Sequence, residues 1–373
     1  MTVREVGVLA IGAGPANLAL AVAIEESGSP ELADRTLLLE QSPDIKWQRD
    51  LLMPWARSQV SFLKDLVTLR NPSSRFTFLN FLHEQGRLDE FINLGTFHPY
   101  RWEFSDYLQW VATSLKRVRI QYGARAARID PVPAADGSVS GWSVLLTDGD
   151  EIRCRDLVVG GGRDPRVPEV FAGLPADRLI HSAQYRTRIG KLPKDEPVRA
   201  VVVGGAQSAA EMFYALHENL PQSRVTMLVR SIGLQNYQTS KFVNELFFPS
   251  FVDEFYDSPP EVRAQVLDEM RLTNYGKTEP LRCDLVLLGT GYDPRKPALV
   301  RELAARVGID EVEVSRAHRV NLGESARGAV YLQGVNEETH GIADSLISVL
   351  ANRSHDILTD LLARRGATTG SAR

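Results

Sequence analysis

An uncharged apolar segment that runs directly into a glycine-rich turn constrains the fold of this chain more than any other feature. Val6–Ile11 predicts a buried strand, and Gly12-Ala13-Gly14-Pro15 follows it and opens a helix that continues through Asn17 to Ser27. Glycines let the backbone approach a pyrophosphate closely, and a helix N-terminus offers free N–H groups and a partial positive charge. Asn17 stands where such turns usually carry a third glycine. The segment therefore predicts a dinucleotide-binding strand, turn and helix.

An acidic residue ends the next predicted strand. The strand covers Thr36 to Glu40, where a carboxylate can accept hydrogen bonds from a ribose hydroxyl. A competing interpretation treats the uncharged stretch Val6–Ile24 as a signal peptide or a membrane span. Glycines, a proline and an asparagine interrupt the middle of that stretch, so we favour a buried strand, a turn and a helix.

A second segment repeats the pattern. The strand Arg199–Val203 meets Gly204-Gly205-Ala206-Gln207-Ser208, in which Ser208 is placed to cap the following helix or to bind a phosphate. The next strand, Arg224–Val229, ends in Arg230 rather than in an acid. An arginine there can grip a 2′-phosphate, which favours NADP over NAD. A solvated surface arginine is the competing interpretation of Arg230.

Strands and helices alternate along the whole chain, which is typical of parallel sheets covered on both faces. A weak internal repeat supports this, since Arg153–Pro165 and Arg282–Pro294 are each an apolar strand followed by a glycine-rich turn. We predict an α/β protein with two dinucleotide-binding (Rossmann-like) domains, the FAD domain discontinuous and the NADPH domain inserted. The expected limits are 1–190 for the first part of the FAD-binding domain, with a substrate-site segment at 45–110, 191–280 for the NADPH-binding domain, 281–363 for the second part of the FAD-binding domain, and 364–373 for a disordered tail.

Composition excludes several classes of protein. The 373 residues carry a formal net charge of −4 and a pI near 6.0, which argues against a nucleic-acid partner or an anionic membrane surface. Cys154 and Cys283 lie too far apart in sequence to suggest a redox pair, and a reducing, cytoplasmic compartment fits best. The seven histidines show no close ligand spacing with cysteine or carboxylate, so we expect no metal.

Several separated motifs together resemble one known family, the flavin-dependent N-hydroxylating monooxygenases that act on L-ornithine or L-lysine in siderophore biosynthesis. The resemblance covers nearly the whole chain. The motifs that carry it are Gln59–Pro72, Ser74–Leu79, Phe242–Glu245, Thr273–Tyr275, Gly289–Tyr292 and His340–Ser348.

The resemblance implies a role for particular residues of this chain. Lys64 would hold the substrate carboxylate, Asn244 the α-amino and carboxylate end, Phe242 to Leu246 one pocket wall, and Ser348 would touch the substrate. Asn274 would bridge the nicotinamide ribose and the flavin edge. Ser345, Leu346 and Ile347 would start a helix under the flavin pyrimidine end. Further cofactor contacts are expected at Glu40 to Gln48, including Trp47, and at Gln59, Tyr275 and Gly291.

The family implies NADPH- and O2-dependent N-hydroxylation of the side-chain amine of L-ornithine through a flavin C4a-hydroperoxide, by a homo-oligomer. L-Lysine or a diamine is the nearest alternative substrate. Three departures from the family pattern are visible: Gln48 replaces a common histidine, Ala206 replaces a glycine, and only Gly276 to Leu288 separate Tyr275 from the second glycine-rich turn. The last is a marked shortening, so a flavin-binding protein without hydroxylase activity, or an uncoupled NADPH oxidase, is an alternative of another class.

Overall fold

The computed structural model describes residues 3–195, 197–230, 245–269, 281–323 and 326–370. The strands are β1 (Val3–Ile11), β2 (Thr36–Leu39), β3 (Arg119–Gln121), β4 (Ala126–Pro133), β5 (Val139–Leu146), β6 (Glu151–Val159), β7 (Leu179–His181), β8 (Arg199–Val203), β9 (Arg224–Leu228), β10 (Leu285–Leu288) and β11 (Val330–Leu332). The α-helices are α1 (Pro15–Glu25), α2 (Pro30–Asp34), α3 (Phe78–Glu84), α4 (Leu88–Asn93), α5 (Arg101–Ser114), α6 (Tyr185–Ile189), α7 (Gln207–Asn219), α8 (Pro249–Asp257), α9 (Pro260–Glu269), α10 (Ala298–Arg306), α11 (Glu337–His340) and α12 (Leu350–Gly370).

The first sheet contains the first glycine-rich turn at the end of its central strand. Its strands run in the order β3-β2-β1-β6-β5-β4, with β11 also paired to β6. The pairs among β3, β2, β1, β6 and β11 are parallel, whereas β4, β5 and β6 form an antiparallel meander. Parallel strands bring their carboxyl ends to one edge of a sheet, where α/β proteins bind nucleotides.

β6 pairs with β1 along its whole length, but on its other edge it changes partner part-way along. Its first half pairs with β5, from Leu145 opposite Glu151 to Trp142 opposite Cys154. Its second half pairs with β11, from Val330 opposite Leu157 to Leu332 opposite Val159. The meander therefore branches away from the sheet before the carboxyl end of β6.

The second sheet is smaller and parallel throughout, with the order β7-β10-β8-β9. The predicted strand Arg199–Val203 is confirmed as β8. The sheet also takes in β7 and β10, which lie outside the range 191–280 expected for the NADPH-binding domain. β7 and β10 pair with strands of that range in one sheet, and the expected domain limits stay a prediction.

Two hydrophobic clusters cover the two faces of the first sheet, and a third lies in the second sheet. The third includes Leu51, Met53 and Ala56, which pack with residues of β8 and α7 such as Val202 and Met212. The segment just after residue 48 therefore contributes to the core of the second sheet. Among the described residues, no helix combines the length and apolar character that a membrane crossing requires.

The C-terminal region differs from the sequence prediction at both ends. Instead of a helix that starts at Ser345 to Ile347, two short 3-10 turns at Ile342–Ser345 and Ile347–Val349 precede α12. The tail from residue 364 was expected to be disordered, but α12 continues to Gly370. Arg365 Nη2 donates to Asp156 Oδ2 at 3.1 Å, so this part of the helix forms an ion pair with a buried carboxylate of β6.

Candidate functional site

The first glycine-rich turn is built by close packing of three residues. Gly12 has φ +89°, and a Cβ there would lie 2.9 Å from Gly160 O. A Cβ at Gly160 would in turn lie 2.7 Å from the side chain of Asn17. Gly12 and Gly160 are therefore required by space, and Gly12 by its backbone conformation as well.

Asn17 shapes this turn. The side chain is fully buried, and its Nδ2 donates to Ile11 O at 2.9 Å and to Gly12 O at 2.7 Å. These two bonds hold the backbone of the turn in place. A direct contact between Asn17 and a dinucleotide stays a prediction.

The N-terminus of α1, at the first turn, is not capped or covered by a side chain of the described residues. Gly14 is its N-cap without a side-chain capping bond, and a Cβ at Gly14 would meet no atom within 4 Å. Glu40 lies beside it, with Oε2 accepting from Ala13 N–H at 3.1 Å and Oε1 from Ser42 N–H at 2.9 Å. The uncapped N–H groups and the open space fit a pyrophosphate. The Glu40 carboxylate lies beside the turn, and its contact with a ribose hydroxyl stays a prediction.

The second turn repeats this construction. Gly204 has φ +136°, and a Cβ there would overlap the carbonyl of Gly289. A Cβ at Gly289 would lie 2.5 Å from Ala209 Cβ. Ala209 and Gly289 thus take the places that Asn17 and Gly160 take in the first turn, so the repeat seen in the sequence corresponds to a shared geometry.

The capping role predicted for Ser208 differs from the structure, and its alternative role as a phosphate ligand stays a prediction. The N-cap of α7 is Ala206, and Ser208 is the second helical residue, so Ser208 does not cap the helix. Gln207 Nε2 donates to Glu211 Oε1 at 2.8 Å. Gly205 is half-buried in the turn, and Arg230 is exposed just after β9.

The end of β10 is tied to the linker before β7. Gly291, with φ +73°, accepts through its carbonyl from Arg166 N–H at 3.1 Å. His181 Nε2 lies 2.9 Å from the same oxygen, while His181 Nδ1 accepts from Ala183 N–H. The proton is therefore on Nε2, which donates to Gly291, and burial lowers the pKa of His181.

The segment after β2 carries the residues expected near FAD. Trp47 is half-buried and packs edge-on against Phe104, with ring centroids 5.6 Å apart. Gln48 adopts φ +51°, a conformation uncommon for a residue other than glycine, and leads into the 3-10 turn Arg49–Leu51. Gln59 is exposed.

Lys64 lies near an apolar cluster that includes Phe247. Lys64 is half-buried, and its Nζ lies 5.7 Å from the ring centroid of Phe247. Phe247 packs with Val252, Ala343 and Val349, and Leu346 packs against that group. Burial lowers the pKa of Lys64. Ser348 and Ile347 are buried, and Ile347 packs in the hydrophobic cluster on one face of the first sheet. Ser345 is exposed and lies in a 3-10 turn, so the helix expected to start there begins at Leu350.

The sequence analysis missed a buried polar network behind the site. Gln333 Nε2 donates to Asn17 Oδ1 at 2.7 Å, and Arg353 Nε donates to Gln333 Oε1 at 3.2 Å. Arg353 Nη1 then donates to Asp344 Oδ1 at 3.0 Å, and Asp344 Oδ2 accepts from Asn336 N–H at 2.7 Å. The network joins the first turn to the segment around Ser348, and no short motif marks it in the sequence.

Four expected site residues, Phe242, Asn244, Asn274 and Tyr275, lie outside the described residues, as does the first part of the shortened segment, residues 276–280. In the described ranges, no group of three histidine, cysteine or acidic side chains is arranged to hold a metal.

Comparison with known proteins identifies the family. The family model for L-lysine 6-monooxygenase/L-ornithine 5-monooxygenase matches residues 5–285. The chain belongs to this family. An L-ornithine N(5)-monooxygenase from Pseudomonas aeruginosa is 34% identical over 410 residues, covering 94% of this chain and 92% of the relative.

Solved structures agree with the assignment to the lysine/ornithine monooxygenase family. The ornithine hydroxylase of Pseudomonas aeruginosa superposes with a TM-score of 0.87 at 32% identity, covering 96% of this chain and 99% of that one. The ornithine N-hydroxylase of Kutzneria sp. 744, described with reduced FAD, NADP+ and L-ornithine, gives 0.85 at 30% identity, covering 97% and 100%. The predicted fold class of two Rossmann-like domains is confirmed by these neighbours.

Proposed function

We propose that this protein uses NADPH and O2 to hydroxylate the side-chain amine of L-ornithine, with FAD as its resident cofactor. The observation that carries the proposal is the pair of glycine-built turns, one at the end of each sheet. Gly12 against Gly160 and Gly204 against Gly289 give two sites of the same construction for two dinucleotides. The siderophore or related natural-product role that the family resemblance implies is part of the same proposal.

The first turn fits FAD and the second fits NADPH. The open end of α1 at Gly14 would face the FAD pyrophosphate, and Glu40 would accept from a ribose hydroxyl. Gly205, Gln207 and Ser208 open α7 beside the NADPH phosphates, with Arg230 at the end of β9 for the 2′-phosphate. When bound and reduced, the flavin supplies the activation of O2.

The substrate would lie between Lys64 and the cluster around Phe247. The Lys64 ammonium can bind a carboxylate, and the apolar cluster next to it can contact the methylenes of a diamino acid. Ser348, which is buried, would touch the substrate as the family resemblance implies. These residues bind, orient and exclude water, and the reacting terminal amine must be unprotonated to act as a nucleophile.

L-Ornithine is preferred over L-lysine because relatives at 34% and 35% identity, from Pseudomonas aeruginosa and Burkholderia cepacia, are both named L-ornithine N(5)-monooxygenases. One methylene changes binding by only about 1–3 kcal/mol, so L-lysine and diamines belong in any test of this assignment.

A second candidate, an uncoupled NADPH oxidase, has one specific observation behind it. The alignment with the Pseudomonas aeruginosa relative spans 410 positions, whereas this chain has 373 residues, so the relative has residues that this chain lacks. A loss near the nicotinamide site would leave NADPH oxidation intact and direct the electrons to hydrogen peroxide.

The remaining expectations stay proposals. They are the contacts of Asn274, Tyr275, Asn244 and Phe242, the domain limits, the homo-oligomer, the cytoplasmic location and the use of O2. The free cysteines, buried Cys154 and half-buried Cys283, support a reducing compartment.

The test is to incubate the purified, FAD-loaded protein with NADPH and L-ornithine, L-lysine or putrescine in air and to identify each product by mass. We expect a product one oxygen heavier from L-ornithine, with the oxygen on the side-chain nitrogen. A product from L-lysine or putrescine alone would reassign the substrate, and hydrogen peroxide alone would support the oxidase.

A further inference from the structure

A buried ion pair connects the flavin-side segment to the helix of the second turn. Arg101, the first residue of α5, donates from Nη2 to Glu211 Oε1 at 2.6 Å and from Nη1 to Glu211 Oε2 at 2.8 Å. Both side chains are only 4% exposed. Glu211 belongs to α7, so the pair joins elements of the two sheets.

Each partner is also bonded to one of the proposed cofactor segments. Arg101 Nη1 donates to Leu51 O at 2.8 Å, and its guanidinium lies 5.9 Å from the ring centroid of Trp47. On the other side, Glu211 Oε1 accepts from Gln207 Nε2 at 2.8 Å, and Gln207 is the first helical residue after the second turn. Three successive hydrogen-bonded contacts thus connect the backbone carbonyl of Leu51 to Gln207 at the second turn.

A buried ion pair is weak evidence for a stabilising role, because the cost of removing both charges from water offsets their attraction. A bidentate guanidinium–carboxylate pair does fix both the separation and the relative orientation of the two groups. Leu51 and Met53 already share a hydrophobic cluster with Met212 of α7. Holding this segment against α7 therefore does not require a charged pair.

We infer that Arg101 and Glu211 are positioning residues that set the second turn against the flavin-side segment for hydride transfer. This inference rests on the proposed function. In that step NADPH loses a hydride and is oxidised to NADP+, and FAD gains it and is reduced. Such transfer depends steeply on distance, and a misplacement of about 1 Å can cost on the order of a hundredfold in rate.

The experiment compares the wild type with a double variant, Arg101→Met with Glu211→Leu, which replaces the pair by apolar side chains. Replacement of both partners leaves no unpaired buried charge, so stability should be kept. The matched control is Arg87→Met with Glu103→Leu. That pair, at 2.6 Å, has its acid on the same helix α5 and is bonded to neither turn.

FAD-loaded proteins are mixed with NADPH without oxygen, and the limiting rate of flavin reduction and the half-saturating NADPH concentration are measured separately. Binding of NADP+ is also followed by the change in the flavin absorbance spectrum, and the melting temperature of each variant is recorded. In the Arg101/Glu211 double variant we expect the limiting rate to fall by about tenfold or more. The half-saturating NADPH concentration should stay within about twofold of the wild-type value. The amplitude of the flavin absorbance change on NADP+ binding should be smaller than in the wild type.

A double variant whose limiting rate and spectral change match those of the wild type and the control would overturn the inference. If the double variant is poorly stable, Arg101→Lys provides a second test, because it keeps the charge and loses the bidentate geometry; an unchanged limiting rate there would also overturn it. A wild type that dithionite reduces but NADPH does not would contradict the proposed function itself, and the inference with it.

Discussion

Asn17 Oδ1 accepts a hydrogen bond from Gln333 Nε2 at 2.7 Å, although the two residues are 316 positions apart. Asn17 also holds the carbonyls of Ile11 and Gly12, and Gln333 binds Arg353, which holds Asp344. The backbone proposed to face the FAD pyrophosphate and the segment proposed to lie under the flavin ring are therefore fixed by one buried network.

Replacing Gln333 by leucine should destabilise the fold and weaken FAD retention. The substitution leaves Asn17 Oδ1 and Arg353 Nε buried without these partners, at a cost of about 1–3 kcal/mol. The free energy of unfolding in urea and the rate of FAD release by fluorescence measure the two effects. Gln222→Leu, at an exposed turn residue, is the matched control, and equal stability of the two variants would contradict this account of the network.

Substitutions in the two glycine-rich turns should affect different cofactors. Gly12→Ala introduces a Cβ 2.9 Å from Gly160 O at a positive φ, so we expect loss of bound FAD. Gly204→Ala introduces the equivalent clash with Gly289, so we expect FAD to remain and reduction by NADPH to fall sharply. Gly28→Ala, at φ +71° with no atom within 4 Å of its Cβ, controls for backbone strain alone. The three variants are compared by their FAD content, measured by absorbance, and by their rates of reduction by NADPH. Loss of FAD in Gly204→Ala would contradict the assignment of the second turn to NADPH.

Arg230→Ala should raise the half-saturating concentration of NADPH and leave that of NADH nearly unchanged. A charge-assisted bond to the 2′-phosphate is worth about 1.5–3 kcal/mol, which corresponds to about 10- to 100-fold in affinity. Arg224→Ala removes another exposed arginine at the opposite end of β9 and serves as control. The measurement is a steady-state titration with NADPH. If both variants have the same half-saturating NADPH concentration, Arg230 does not bind the 2′-phosphate and is a solvated surface residue.

Lys64 should give the reaction a characteristic pH dependence. The maximal rate should rise with pH as the substrate amine loses its proton. Burial lowers the pKa of Lys64, so its positive charge is lost at a lower pH than that of an ordinary lysine, and the KM for L-ornithine should rise as pH passes through that value. Lys64→Arg stays protonated and should abolish the rise, whereas Lys64→Ala should raise KM by about tenfold or more at neutral pH. Identical KM profiles for wild type and Lys64→Arg would exclude the carboxylate contact.

Local patterns predicted the parts of the structure that depend on local chemistry. The apolar run Arg199–Val203 and the glycine turns at Gly12 and Gly204 follow directly from strand and turn preferences. Asn17 shows where such patterns stop being informative, since its hydrogen-bond partner Gln333 is set by tertiary structure. The same holds for Arg365, whose ion pair with Asp156, 209 positions away, keeps helical a segment whose composition predicts disorder.

Hydroxylamine formed per NADPH consumed, with L-ornithine as substrate and FAD-loaded protein in air, tests the central claim most directly. The proposed function predicts a ratio close to one with L-ornithine, and NADPH oxidation without hydroxylamine when the amine is omitted. NADPH consumption that yields only hydrogen peroxide with L-ornithine, L-lysine and putrescine alike would contradict it.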